Sequence, residues 1–506
     1  MSSRRRRRGE SPRERRKARA AKISKMVQPV HNIPIYEILN EEGVELIHGK
    51  SMEILKEVGV DFYLDEAKQI LKDHGVKLEG DTAYFEPGMI DEYVSKAPSQ
   101  FTQLARNPDN NLLIGADRMV FAPVYGPPYV QDLERGRREA TLEDFQSFVK
   151  LAYLSPYMHH SGGTVVEPTD TPDETRHMDM LLSHIKYSDK AFMGSVMSGA
   201  NAEDSVKMVE ILFGAEAIRE NPALISLINI SSPRRLDDRM LEALTAYAKA
   251  RQAVIITPFI LSGAMAPVST AGTLIQQNAE ALAGIAYAQM VEPGTPVVYG
   301  SFMTNVDLKS GAPMFGTPES QLALIASAQM ARRYKLPFRS GGMFASSKIP
   351  DAQAAYESVM TMLPAVQARV NFVLHAAGWL ENGLAAGYEK FVMDCELLGM
   401  FHKLMKGIDL SEDAQALDSL RDVAPGGHHL GTEHTISHFE TAFFKSKLFD
   451  YDDAEKWMLE GGKRADQVAA EKVKERLKGY EAPEIDPSVE EALDEFVTKR
   501  KAELNK

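Results

Sequence analysis

The sequence predicts an α/β chain built on a closed (β/α)8 TIM barrel, with a helix-rich N-terminal cap and a C-terminal helical extension. Three observations carry this prediction. From Met119 onward, short β-branched or aromatic runs alternate with Gly/Pro/Ser-rich loops and amphipathic helices. Eight such units occupy about 290 residues, the size of a closed barrel. No G-x-G-x-x-G follows the first strand, which disfavours the alternative of a doubly wound open sheet.

The eight strands are expected at Met119 to Val124, His160 to Val166, Phe192 to Ser198, Leu224 to Ile230, Ala253 to Pro258, Pro296 to Ser301, Pro337 to Gly342 and Val370 to His375. Each is a short apolar run bounded by turn residues, as expected of a strand buried on both faces. Thr141 with Asp144, Thr171-Pro172 with Glu174, and Asn201 with Asp204 pair a capping side chain with an acid three residues on. Thr317-Pro318 and Pro350-Asp351 add further helix starts. Further helices are expected at about Asp237 to Ala250, Ala271 to Met290, Asp351 to Ala368 and Gly387 to Lys406. The expected organisation is a disordered basic tail (1–28), the cap (29–118), the barrel (119–408) and the extension (409–506).

Charge is unevenly spread. The first 25 residues hold twelve Arg and Lys against Glu10 and Glu14, a local charge of +10, so the rest of the chain carries −23. A composition that is 44% hydrophobic supports a large core and excludes a disordered, collagenous or coiled-coil chain. The single cysteine, Cys395, excludes an intrachain disulfide and a Cys-based metal centre, and fits a reducing compartment, with the cytoplasm as default. The charge-free stretch Gln252 to Ala279 contains Pro258, Gly263, Pro267 and Gly272, so it is not read as a membrane span.

In a TIM barrel, function resides on the loops after the strands. Tyr125, Tyr129, Phe259, Phe302 and Phe344 fall there and point to an apolar or cationic ligand, because aromatic faces attract quaternary ammonium groups. Asn229 and His375 add polar groups at strand ends. Glu280, Glu319, Asp351, Gln353 and Glu357 lie in the first turns of barrel helices, near the same rim. No phosphate-binding signature is present. In the run from Gly426 to His438, His434 and His438 at i, i+4 share a helix face and would make a zinc site with Glu433 or His429. Glu433 precedes the first of that His pair, unlike the zincin order, so these read as pocket or interface histidines and no tightly bound metal is expected.

Longer strings are more specific. Gly263 to Leu274 running into Gln277 to Ile285, then Pro293 to Gly300, Gly316 to Glu319, Pro350 to Glu357 and His429 to Thr435, resemble in order the trimethylamine methyltransferase family, over about Val30 to Trp457. The resemblance implies a (β/α)8 barrel that passes a methyl group from a methylated amine to cob(I)alamin carried by a separate corrinoid protein, and a homo-oligomer. Archaeal trimethylamine enzymes of this family place pyrrolysine in the barrel. This chain has only the standard twenty residues, which places it in the non-pyrrolysine branch; the loop Gly341 to Lys348 is taken as the counterpart position.

A quaternary ammonium already bears the charge that departs as neutral amine, so the expected substrate is a glycine betaine-like quaternary amine. In this reading Tyr125, Tyr129, Asn229, Phe259, Phe302 and Phe344 bind substrate. Glu280, Glu319 and His375 are catalytic, and Asp351, Gln353 and Glu357 face the corrinoid. The alternatives are a zinc-dependent barrel hydrolase, and a non-catalytic member whose Arg-rich tail binds RNA; nucleic acid is the less expected partner.

Overall fold

The computed structural model describes residues 26–504. The basic-tail assignment falls almost entirely outside them. Met26 is already buried against the barrel interior, and the Gln28 side-chain amide donates to Leu113 O at 2.7 Å.

Seven parallel strands form the barrel wall: β1 (Val120–Phe121), β2 (Phe192–Met193), β3 (Leu224–Ser231), β4 (Ala253–Ser262), β5 (Val297–Gly300), β6 (Phe338–Gly341) and β7 (Phe372–Leu374). They pair in the order β2-β3-β4-β5-β6-β7-β1. The remaining gap is closed without a regular strand. His159 N and His160 N both donate to Phe121 O, Ser161 N donates to Ala191 O, and Met193 N donates to Gly162 O. The strand expected at His160 to Val166 is therefore an irregular seam. Gly162 sits at φ 100°, and a Cβ there would lie 2.6 Å from the Pro123 ring. The backbone leaves the extended region where no side chain fits, and the ladder stops.

Strand parity sorts the core. Ile225, Leu227, Ile255, Val298, Phe372 and Leu374 fill the barrel interior, while Ile228, Ile256, Tyr299 and Val373 face the helices. Helix starts follow side-chain chemistry: Thr141 and Asp144 form a reciprocal capping box, and Thr317 and Asp351 cap the helices Pro318–Arg333 and Ala352–Gln367. Two starts differ. Ser198 rather than Asn201 caps Gly199–Phe213, and the helix expected from Thr171-Pro172 begins at Arg176.

The helix Thr270–Val291 is buried nearly all round, because the cap helices Glu41–Glu57 and Pro87–Val94 cover its outer side. Its polar side chains are accordingly paired: Asn278 donates to Ser51 Oγ and accepts from Tyr299 Oη, and Gln277 donates to Gly300 O. The cap also carries a small sheet in which Val60–Phe62 pairs with Arg235–Leu236. At the far end of the chain, Ala465–Lys478 packs on Tyr388–Met405, and Pro487–Leu504 packs on Gly199–Phe213. Arg500 Nε bonds Asp204 at 2.8 Å and Lys501 bonds Asp179 at 2.6 Å, strapping the extension to the barrel.

The buried Lys190 ammonium donates to three carbonyls, Ala152 O, Ser155 O and Met158 O, at 2.7–2.9 Å. These oxygens close the helix Leu142–Leu154 and the turn after it. Lys190→Met removes all three donors at once and is expected to destabilise the protein by about 3 kcal/mol, read as a lower urea midpoint.

Candidate active site

Residues in register across a parallel sheet share a face, so the pairing defines what lines the barrel mouth. One row runs Asn229 (β3), Thr257 (β4), Gly300 (β5), Arg339 (β6), Phe372 (β7) and Val120 (β1). Phe372 and Val120 lie in the interior cluster, so the whole row faces inward. Gly300 is required there: a Cβ would lie 2.0 Å from Thr257 Oγ1. Asn229 and Phe259 are on this inward side yet exposed, which leaves the mouth open beside β3 and β4.

Arg339 is the unusual member. It is 1% exposed, has no ion-pair partner among the described residues, and its Nε has no hydrogen-bond partner. Its one side-chain hydrogen bond is a long one, from Nη1 to Ser301 O at 3.5 Å. Burial pulls the guanidinium from its ordinary value to about 9, opposed by attraction to the nearby Tyr125. A buried cation without a counter-ion costs several kcal/mol, and an anionic ligand supplies what the protein withholds.

His375 flanks it at the end of β7, held at φ 64°, a left-handed conformation that non-glycine residues rarely adopt. Its Nδ1 accepts from Tyr125 N at 3.2 Å. Burial, with the Arg339 charge behind it, holds His375 well below the usual histidine range. The ring is thus neutral and its Nε2 carries the donor proton. Tyr125 lines the same mouth, its ring 2.7 Å from where a Cβ on Gly163 would lie. Burial raises its phenol, so it too stays protonated.

An aromatic cluster lies one inward step above Arg339. Phe302 is its hub, stacked on Phe259 at 4.8 Å and edge-to-face with Phe344 at 5.3 Å, with Phe315, His375 and Trp379 at 6.0–6.4 Å. Phe344 meets Trp379 at 4.8 Å and His375 at 5.3 Å. Trp379 is 6% exposed and its Nε1–H has no partner. Phe344 lies directly over Gly341, where a Cβ would fall 1.9 Å from the ring. A buried ion pair braces both loops of this cluster. Lys390 Nζ bonds Asp394 at 2.5 and 2.6 Å and reaches Met343 O, while Asp394 accepts from Gly378 N at 2.9 Å.

The other sequence-selected residues are placed elsewhere. Tyr129 lies in an added sheet beside the mouth, its ring face covered by the Arg137 guanidinium at 3.6 Å. Glu280 is buried, and desolvation raises its carboxyl, but its oxygens bond Ser232 Oγ, Arg234 N and Gln276 Nε2, so it fastens the loop after β3. Glu319 is exposed on the rim. Asp351 accepts from Ser347 Oγ, Glu357 accepts from Ser346 N and Ser347 N, and Gln353 donates to Glu357. These three set the rim loop after β6.

Sequence reasoning did not single out Arg339, Thr257 or Phe315. The available signal was a lone cation inside Pro337 to Gly342, a run otherwise apolar or small.

A (β/α)8-type barrel with an aromatic mouth over an unpaired buried cation defines an enzyme-like small-molecule site. The chain belongs to the trimethylamine methyltransferase family, whose model matches residues 4–505. It is 45% identical to the glycine betaine methyltransferase of Desulfitobacterium hafniense strain Y51, over 93% of this chain and 98% of that protein. It is 29% identical to the proline betaine:corrinoid methyltransferase of Eubacterium limosum, over 90% and 96%. The crystal structure of Methanosarcina barkeri monomethylamine methyltransferase matches with a TM-score of 0.50 at 10% identity, over 88% of this chain and 90% of that one, and shares the fold.

Gly341→Ala is expected to dislodge Phe344 and loosen the cluster. Of the two tryptophans only Trp379 touches it, so the change is read as a shift in tryptophan emission with the fold retained by circular dichroism.

Proposed function

We propose that this chain transfers a methyl group from a carboxylate-bearing quaternary amine, of the glycine betaine class, to cob(I)alamin on a separate corrinoid protein. The observation that carries the reading is Arg339, a buried guanidinium without a counter-ion one inward step below an aromatic cluster. Two residues along a strand span about 7 Å, so a small zwitterion reaches both layers at once. Its carboxylate pairs with Arg339, with the His375 Nε2–H beside it. Its trimethylammonium head meets Phe302, Phe344 and the open face of Phe259, each contact worth about 0.5–2 kcal/mol.

During transfer, the carbon–nitrogen bond breaks with its electron pair passing to nitrogen, and Co(I) supplies the pair for the new cobalt–carbon bond. The amine leaves neutral, so no general acid is needed, and neither Glu280 nor Glu319 has a proton to move. The protein's contribution is to anchor the anionic end, point one methyl outward and keep water from the cobalt. Asp351, Gln353 and Glu357 hold the rim loop on which the corrinoid protein docks in this reading. The acidic body, at −23 beyond the first 25 residues, favours arrival of substrates with an exposed cationic end. One buried cysteine fits residence in the reducing cytoplasm, and the exposed apolar side chains between Ile408 and Phe443 fit self-association.

The test is methyl transfer to reduced cobalamin, read by its absorbance, with glycine betaine, choline and trimethylamine as donors. Glycine betaine is expected to be preferred. Arg339→Met should lower kcat/KM for glycine betaine by ~100-fold or more, the cost of an unpaired charged group, and leave choline turnover within a few-fold. No transfer from any quaternary amine would overturn the reading, as would an Arg339→Met enzyme that still prefers glycine betaine.

A further inference from the structure

The segment from Ile408 to Phe443 leaves the body at Gly407, which packs against the Asn32 backbone, and rejoins it at Phe444, which packs against Gly399 and Tyr157. Asn32 follows Val30 and His31, which pair with Arg118 and Asp117 just before β1, and Tyr157 just precedes the seam, so the arm hangs from the end of the barrel opposite the mouth. Within it only Ser419 is buried, while Ile408, Leu410, Leu430 and Phe443 are 77–86% exposed. Its helices, Glu412–Gln415, Leu417–Asp422 and Glu433–His438, span four to six residues. Helices this short do not persist on propensity alone, and no apolar core holds these.

Polar contacts tie the arm at two points. Ser419 Oγ joins His429 Nδ1 at 2.9 Å and Thr432 Oγ1 at 3.0 Å. The second point brings together Asp413, His434 and His438, with one ligand-type atom from each lying within 4.8 Å of the others. The two imidazoles stack at 4.4 Å, and His438 Nε2 lies 2.9 Å from Asp413 Oδ2, across 25 residues of chain. His438 Nδ1 lies 2.9 Å from His434 O, a carbonyl that only accepts, and 3.0 Å from Ser437 Oγ, an arrangement that favours the proton on Nδ1. Nε2 then presents a lone pair to a carboxylate oxygen, a contact that requires a cation between them, either a second proton or a metal ion. A ring N–H bonded to a backbone carbonyl is also the usual outer-shell arrangement of a metal-bound histidine.

We propose that Asp413, His434 and His438 form a structural site for a divalent zinc-class ion that staples the arm. Two imidazoles and a carboxylate match zinc's preferred ligands, whose bonds run about 2.0–2.2 Å. Water or another ligand completes the tetrahedron. Asp413 lies well before the His-rich motif, so the sequence alone does not pair it with His434 and His438. Glu433 and His429, the partners weighed from sequence, are not part of the group. Its place on the arm, away from the Arg339 row, separates it from the methyl-transfer reading, and neither depends on the other.

The experiment uses the untagged full chain, dialysed against a chelator and titrated with ZnCl2 by calorimetry. One equivalent is expected to bind. His438→Ala and Asp413→Ala should each weaken binding by at least ~10-fold, and the His434→Ala/His438→Ala double variant should abolish it, while His428→Ala leaves it unchanged. Zinc should also slow tryptic cleavage after Arg421, the one Lys or Arg of the arm, in the wild-type chain but not in the double variant. Failure of the wild type to bind zinc at micromolar concentration overturns the proposal. Retention of binding by the double variant does so equally.

Discussion

The constraint on which this structure turns is a guanidinium in a barrel with no ion-pair partner among the described residues. Arg339 lies inside the wall between β5 and β7, where desolvation of the ion is costly. Its neighbours are spare. Gly300 on one flank leaves room for Thr257, Gly341 above leaves room for Phe344, and the hydroxyl of Thr257 has no bond of its own. Stability has been set aside at this one level and recovered elsewhere, in the dry interior below and in the doubly covered helix Thr270–Val291.

The layer above shows the complementary device. Six rings meet at distances that leave them mutually supported, and the loops that carry Phe344 and Trp379 are fixed from behind by the Lys390–Asp394 pair. Breaking one partner of such a pair would strand a buried charge, so the pair specifies loop position more than it adds net stability. The strained backbone of His375 belongs to the same arrangement, since it turns the imidazole toward Arg339 and Tyr125 instead of along the strand.

Much of the architecture was legible in the sequence because buried parallel strands and amphipathic helices announce themselves by period and by caps. Thr141, Thr317 and Asp351 stand where the sequence analysis put helix starts. The seam at 159–163 was not legible, because the stretch His160 to Val166, with Gly162-Gly163 inside it, looks the same in sequence whether it completes a ladder or breaks it. At the mouth, residue type identified Phe259, Phe302, Phe344 and His375 as neighbours of the opening, since aromatic side chains at strand ends have few other places to go. It could not show that Arg137 covers Tyr129, or that Ser232 and Arg234 consume the oxygens of Glu280, because those partners come from distant chain segments. Arg339 was hidden for a different reason: one cation in a strand reads as a strand end until register shows which way it faces.

The added sheet has one further consequence. Its strands, Tyr129–Asp132, Gly136–Glu139, Trp379–Leu380 and Ala385–Gly387, follow β1 and β7, so they roof one half of the mouth and leave the half beside β3 and β4 uncovered. In the reaction proposed above, a small donor seated against Arg339 would lie beneath an acceptor docked on the rim, so donor before acceptor is the order which that reading implies.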